Sequence, residues 1–156
     1  MALEDIINER LKKLERFQAE GVDTFPAESQ RTHLISELIG QFAKLASNQE
    51  KVMAVGRIMG LRNQGNIFFA DLADESGRIQ LVVKKEDLKE YELYRDDLDI
   101  GDFLQTSGTL FTTQKGEKSI QATALKLLAK SLRPLPDQWS GLADIEPRLR
   151  KRYLDL

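Results

Sequence analysis

The 156-residue sequence contains no cysteine, one tryptophan and one histidine. Without cysteine there can be no disulfide framework, thiolate metal site or cysteine nucleophile, and a reducing compartment is favoured. His33 has no second histidine and no cysteine with which to share a metal ion. It is therefore a poor metal-binding or catalytic candidate.

Long hydrophobic runs and an excess of basic charge are missing as well. No stretch approaches the roughly 20 apolar residues of a membrane helix, and the charged N-terminus MALEDIINERLKKL lacks the apolar segment of a signal peptide. We therefore expect a cytoplasmic protein with no membrane partner. The formal net charge is −2, so any nucleic-acid binding has to rely on a local site rather than on a basic surface.

Two helical patterns open the chain. Apolar residues recur at three- and four-residue steps from Leu3 to Glu20, which predicts an amphipathic helix ended by Gly21. Its polar face mixes acids and bases, so packing on its own domain or on a second subunit is favoured over a membrane surface. A second helix, capped by Ser29 or Thr32, is predicted by apolar residues at helical spacing: Leu34, Ile35, Leu38, Ile39, Phe42 and Leu45.

The stretch from Lys51 to Lys84 predicts three short strands, KVMAVGRIMGL, NIFFADLA and RIQLVVK, separated by turn-forming residues. A short helix is then marked by Leu88, Tyr91 and Leu93, and strands follow at 103–111 and 119–128. In the last strand we expect Ile120, Ala122 and Ala124 to share one face.

This order of elements predicts a mainly β fold with N-terminal α-helices. Three strands, a helix and two more strands form a five-stranded Greek-key barrel of the oligonucleotide/oligosaccharide-binding (OB) type, with its helix between strands 3 and 4. Such barrels bind ligands across their second and third strands. We divide the chain into a helical extension, 1–48, the barrel, 49–131, and a linker, 132–156.

The linker differs in composition from the barrel. Pro134 and Pro136 favour extended backbone without a donor. Trp139 is expected to cover apolar surface where linker and barrel meet, with ligand stacking as the alternative. The basic run RLRKR, 148–152, fits either a solvated helix face or a contact with a nucleic-acid backbone or a neighbouring domain.

One face of the second and third strands carries residues suited to unpaired bases. Phe69 and Gln80 alternate away from the residues expected in the core, which are Phe68, Leu72, Ile79 and Leu81. With Arg62 nearby, they offer an aromatic ring with a polar and a cationic partner, and stacking on such a ring contributes about 1–3 kcal/mol per base. Phe69 could equally cover the barrel mouth or a neighbouring strand, and its face alone does not decide between the two roles.

At this point the chain resembles the N-terminal anticodon-binding domain of class II lysyl-tRNA synthetases, over nearly all of its length. The segments GVDTFP and THLISEL resemble the family's N-terminal extension, and VGRIM, LADESGRIQLVV and LDIGDFLQTSGTLF its barrel. The tail segments LRPLPDQW, GLADIE and RLRKRYLDL resemble the family's connection to a catalytic domain. The tail is the most specific part, because synthetases for aspartate or asparagine share pieces of the barrel but not this tail.

The resemblance implies that the barrel binds the anticodon loop of lysine tRNA, tRNA(Lys), whose uridine-rich bases are read individually. By motif position, Phe69 would stack on an anticodon base and Gln80 would hydrogen-bond a uridine edge. Arg62 would contact the loop from the turn after the first strand.

The resemblance also implies one departure. The family usually carries a glutamate in the fifth strand that helps to recognise the middle uridine, and the matching position here is Ala124. We expect Gln121 or Thr123 to substitute, with Arg57 as a further auxiliary residue, or recognition to rest on Phe69 and Gln80 alone. A lost charge-assisted hydrogen bond would cost roughly 1.5–3 kcal/mol.

Catalysis in this family belongs to a C-terminal domain that uses ATP and Mg²⁺, and the full-length enzyme pairs as a homodimer. Up to Leu156 the sequence has no glycine-rich phosphate loop, metal-ligand cluster or nucleophile with a base. We therefore expect this polypeptide alone to need no cofactor, to lack aminoacylation activity and to be able to exist as a monomer. Two other interpretations stay open. One is the barrel of an aspartyl or asparaginyl synthetase or a free-standing single-strand binder, and the other is a structural module for subunit association.

Overall fold

The computed structural model describes residues 2–136 and 149–150. Trp139 and most of the basic run 148–152 lie outside the described residues. In chain order the elements are α1 Leu3–Ala19, α2 Ile35–Gly40, α3 Phe42–Ser47, β1 Val52–Gln64, β2 Ile67–Ala73, β3 Arg78–Lys84, α4 Tyr91–Asp97, β4 Phe103–Thr112 and β5 Lys118–Ala129. None of the helices in this part of the chain is long and apolar enough to cross a membrane.

The five strands close into a barrel in the order β1-β2-β3-β5-β4, with β4 returning to β1. All neighbouring pairs are antiparallel except β3 and β5, which run parallel. The contact between β3 and β5 is the shortest of these pairings and spans Gln80–Val82 and Ser119–Gln121. The predicted barrel, with α4 between β3 and β4, is confirmed.

Strand alternation sorts the side chains of β2 and β3 as predicted. Phe68, Leu72, Ile79 and Leu81 are all buried in the core. In β5 the predicted alternation fails after Ala122, because the register with β4 shifts between Ser107 and Gly108. Such a bulge adds one residue to a strand and turns the following side chains over, so Ala124 is exposed instead of sharing the face of Ile120 and Ala122.

The first helix is confirmed and packs against α4. Gly21 follows it at a φ of +79°, the left-handed conformation that ends many helices. The Phe17 ring lies edge-on to the Tyr94 ring with centroids 5.3 Å apart, and both side chains are buried. Burial raises the pKa of the Tyr94 phenol to about 12. Arg16 adds an ion pair of 2.6 Å between its Nη2 and Oδ1 of Asp97.

The prediction of one second helix was wrong. Two short helices, α2 and α3, meet at Gln41, whose φ of −104° and ψ of 16° break the helical path. Thr32 is not the cap, because it is used to attach the segment to β1: its N–H donates to the Met53 carbonyl, and its hydroxyl accepts from the Met53 N–H. At the start of α2 the Leu34 N–H instead donates to the Glu37 carboxylate, at 2.6 Å.

A buried ion network joins α1 to the end of the barrel. The Lys130 ammonium lies 2.6 Å from Oδ2 of Asp99 and 2.7 Å from Oδ2 of Asp102. Lys13 of α1 binds the other oxygen of Asp99 at 2.7 Å. The network therefore fixes α1, the loop before β4 and the end of β5 against one another.

Candidate nucleic-acid interface

Strand register arranges the outer face of the barrel in two rows that cross the sheet. One row runs through Gly60, Asp71, Gln80, Ser119 and Phe111, from β1 to β4. The next row begins with Arg62, Phe69 and Val82 and continues to Gln121. The three predicted site residues therefore lie on neighbouring strands and on the same face.

Arg62 and Phe69 form a stacked pair. The guanidinium carbon of Arg62 lies 4.7 Å from the centroid of the Phe69 ring. At an exposed site such a cation–π contact contributes about 0.5–1 kcal/mol. Because one face of the ring is covered by the guanidinium, the other is the face that a base can stack on.

Gln80 is held by a hydrogen bond from the neighbouring strand. The Ser119 hydroxyl donates to Oε1 of Gln80 at 2.9 Å, and Ser119 is fully buried. Within the described part of the chain, the side-chain NH₂ of Gln80 has no partner. The amide therefore presents a fixed donor to whatever binds above it.

A cleft of about 380 Å³ lies over this face. Arg62, Phe69 and Gln80 all line it, together with an apolar wall that includes Val82 and Phe111. Lys84, Lys115 and Glu117 are also part of its lining. The cleft thus combines a stacking ring, hydrogen-bond donors and basic side chains, which are the groups that bind single-stranded nucleic acid, with a carboxylate.

A second cleft, of about 250 Å³, adjoins the first. The two share Arg62, Phe69, Gln80 and Glu117 as a common wall. The smaller cleft adds Gly60, Leu61 and Asp71.

Glu117 is the functional candidate that sequence reasoning missed. The resemblance places the expected acid at the position of Ala124, which pairs with Ser107 and lines neither cleft. Glu117 lies just before β5, two residues ahead of Ser119, which pairs with Gln80 of β3, and it lines both clefts. Its carboxylate has no hydrogen-bond or ion-pair partner in the described ranges. The signal that could have found it is the turn at Gly116, because Glu117 follows this turn directly and precedes β5.

The three auxiliary residues are not brought to the clefts. Gln121 donates from Nε2 to the Asp87 carboxylate at 2.9 Å, and the Thr123 hydroxyl donates to the Ser107 carbonyl at 3.3 Å. Arg57 lies with its guanidinium carbon 4.6 Å from the Phe103 centroid. None of them lines either cleft.

His33 hydrogen-bonds through Nδ1 to the hydroxyl of Thr32, at 2.8 Å. Across residues 2–136 and 149–150 there is no group of three or more His, Cys, Asp or Glu side chains that could hold a metal ion.

The strand order and the lined face define this protein as one with an OB-fold barrel. Residues 52–128 match the family described as the OB-fold nucleic acid binding domain, and this barrel belongs to that family.

Over its whole length the chain is related to lysine–tRNA ligases, which confirms the resemblance found in the sequence. It is 48% identical to the lysine–tRNA ligase of Roseiflexus castenholzii over 100% of this chain and 32% of that protein. It is 42% identical to that of Dehalococcoides mccartyi strain ATCC BAA-2266, over 98% of this chain and 32% of the relative. It is 39% identical to the lysine–tRNA ligase of Carboxydothermus hydrogenoformans, over 99% of this chain and 31% of that protein. The chain thus spans about a third of the length of these relatives.

Proposed function

We propose that the larger cleft binds the anticodon loop of a tRNA, and that this tRNA is the lysine acceptor. The observation that carries the proposal is the convergence of Arg62, Phe69, Gln80 and Glu117 on one cleft. The choice of tRNA(Lys) is supported by the relatives, which are lysine–tRNA ligases.

The cleft offers hydrogen-bonding groups that match the pairing edge of uridine. That edge presents two carbonyl oxygens on either side of an N3–H. The free NH₂ of Gln80 can donate to a carbonyl, and the Glu117 carboxylate can accept the N3–H. Cytidine has an unprotonated N3 at the same position, which would face the carboxylate without a proton between them. The site therefore favours uridine over cytidine.

Three basic side chains border the larger cleft: Arg62, Lys84 and Lys115. They are the groups available for the phosphates that flank the stacked base. Since the chain as a whole has a net charge of −2, we expect a modest dependence of affinity on salt, set by these few contacts.

The proposal includes a longer protein of which this chain forms the anticodon-binding part. That protein would activate lysine with ATP and Mg²⁺, attach it to tRNA, work as a homodimer and reside in the cytoplasm. Neither ATP nor Mg²⁺ has a role in the cleft described above, and the chain by itself would lack aminoacylation activity.

The test is a titration of the chain with a stem-loop that carries the lysine anticodon. We expect saturable binding and, for Phe69→Ala, a Kd about 5- to 150-fold weaker, which corresponds to the loss of one stacked base. Phe103→Ala is the matched control, because Phe103 is also a partly exposed ring beneath an arginine but lies outside both clefts.

Equal losses for Phe69→Ala and Phe103→Ala would contradict the proposal. A preference for an aspartate or asparagine anticodon would indicate one of those synthetases. Equal affinity for any single strand would indicate a general single-strand binder, and no saturable binding would favour a structural module.

A further inference from the structure

We propose that the smaller cleft is a second base position, in which Asp71 accepts the N3–H of a uridine next to the one stacked on Phe69. The inference rests on the proposed function of the larger cleft. It adds a specificity-determining residue that neither the sequence pattern nor the resemblance singled out.

The two clefts are adjacent halves of one surface. They share the wall formed by Arg62, Phe69, Gln80 and Glu117, so a strand bound in the larger cleft leads directly into the smaller one. Asp71 is two residues beyond Phe69 on β2, on the same face and about 7 Å further along the strand. An extended single strand can bridge that separation between neighbouring bases.

The Asp71 carboxylate is free to bind a ligand. It is exposed, lines the smaller cleft and has no hydrogen bond or ion pair to any other described residue. The acids at the end of α4 and in the loop before β4 differ, since Asp97, Asp99 and Asp102 are all paired with Arg or Lys. An unpaired acid on a surface that binds phosphates weakens non-specific binding, and it favours binding only where a base donates a proton to it.

Gly60 makes room for this carboxylate. It lies opposite Asp71 in the β1–β2 register, just after a bulge in β1. A Cβ at position 60 would lie 2.6 Å from Oδ2 of Asp71, so any larger residue would push the carboxylate away. The backbone of β1 and the side chain of β2 are thus fitted to one another at the floor of the smaller cleft.

The chemistry of the carboxylate specifies the base. An ionised aspartate only accepts hydrogen bonds, whereas an asparagine amide both donates and accepts. At N3, the atom proposed as its partner, the Asp71 carboxylate therefore distinguishes the N3–H of uridine from the bare N3 of cytidine, and an asparagine at the same position would accommodate either base.

The experiment uses the chain with four stem-loops: the lysine anticodon stem-loop, and three copies in which one anticodon uridine at a time is replaced by cytidine. For the unmodified chain we expect two of the replacements each to weaken binding about tenfold or more, the loss of a hydrogen bond to a charged group. In Glu117→Gln one of these penalties disappears. In Asp71→Asn the other loss of affinity disappears, and it belongs to the uridine next to the one that Glu117 reads.

Two further variants make the result specific. Glu50→Gln removes the same charge outside both clefts and should leave all penalties unchanged. Gly60→Ala keeps the net charge but displaces the carboxylate, so it should reproduce the effect of Asp71→Asn while the thermal melt reports that the barrel is folded.

The outcomes separate the two levels of the proposal. If only the penalty sensitive to Glu117 is found, or if Asp71→Asn changes no penalty, the larger cleft remains an anticodon site and the role of Asp71 is refuted. An equal response to Glu50→Gln would also refute it, since the effect would then be one of net charge. No saturable binding of the original stem-loop would refute the proposed function and this inference together.

Discussion

Replacement of Lys130 by methionine tests the buried ion network that joins α1 to the barrel. The Lys130 and Asp102 side chains are both 0% exposed, and their charged atoms are 2.7 Å apart. Methionine preserves much of the side-chain volume but leaves the Asp102 carboxylate buried without its cation. Breaking a buried pair by removing one partner typically costs about 3–5 kcal/mol.

The geometry indicates a cost at the lower end of that range. Asp102 keeps hydrogen bonds from the backbone N–H groups of Asp99 and Ser131, each at 2.8 Å. Asp99 keeps its ion pair with Lys13. We therefore expect a loss of about 3 kcal/mol in the free energy of unfolding, which for a domain of this size lowers Tm by about 6–12 °C.

The measurement is urea unfolding followed by circular dichroism, for Lys130→Met, Asp102→Asn and the double variant. The double variant should be more stable than Lys130→Met alone, because the neutral asparagine amide at position 102 replaces the buried carboxylate that has lost its cation. Lys12→Met is the matched control: Lys12 pairs with Glu9 at 3.0 Å on the surface, where such a pair contributes at most about 1 kcal/mol. A loss below about 1 kcal/mol for Lys130→Met, or no recovery in the double variant, would refute the reasoning.

Two further predictions concern the barrel and its turns. Asp74 accepts hydrogen bonds from Ser76, Gly77 and the N–H of Ile35 at the start of α2. Burial opposes ionisation of Asp74, but these hydrogen bonds outweigh it and hold the pKa below its ordinary value. A pKa that is lower in the folded chain than in the unfolded chain stabilises the fold at any pH above the unfolded pKa, and this stabilisation is lost as the pH falls through the folded pKa. The Tm difference between the unmodified chain and Asp74→Asn should therefore be largest near pH 7 and shrink below about pH 4. A pH-independent difference would contradict this. Gly108→Ala should lower the free energy of unfolding in urea by about 1–3 kcal/mol, because the added Cβ would overlap the Gln121 carbonyl oxygen on the neighbouring strand. Gly40→Ala is the control and should be tolerated, because a Cβ at position 40 meets open space. Equal losses for the two variants would contradict this explanation.

Local patterns predicted most of the barrel. The two-residue alternation in NIFFADLA and RIQLVVK correctly assigned Phe68 and Leu81 to the core and Phe69 and Gln80 to the outer face. Alternation depends only on the pleat of a strand, which is a local property of the backbone. It failed in β5 because the bulge opposite Ser107 is set by pairing with β4, and the sequence of β5 alone carries no sign of that pairing.

The break between α2 and α3 shows a similar limit. Apolar residues keep helical spacing from Leu34 to Leu45, and this spacing predicts one continuous helix. The chain turns at Gln41 instead, so that the buried residues of both short helices reach the core: Ile35, Leu38, Phe42 and Leu45. Here the packing of the helices on the barrel overrides their local propensity.

The sequence by itself determined the order of the five strands with a helix between β3 and β4, the inner and outer faces of β2 and β3, and the membership of Arg62, Phe69 and Gln80 in one outer surface. These depend on spacing along a single strand or on adjacent strands joined by short turns. Only the tertiary structure decided which side chains complete that surface. Glu117 and Phe111 reach it because closure of the barrel places β5 beside β3, and β4 beside β5. A contact between strands that are distant in the chain leaves no periodic pattern in the sequence, so it cannot be predicted from residue spacing.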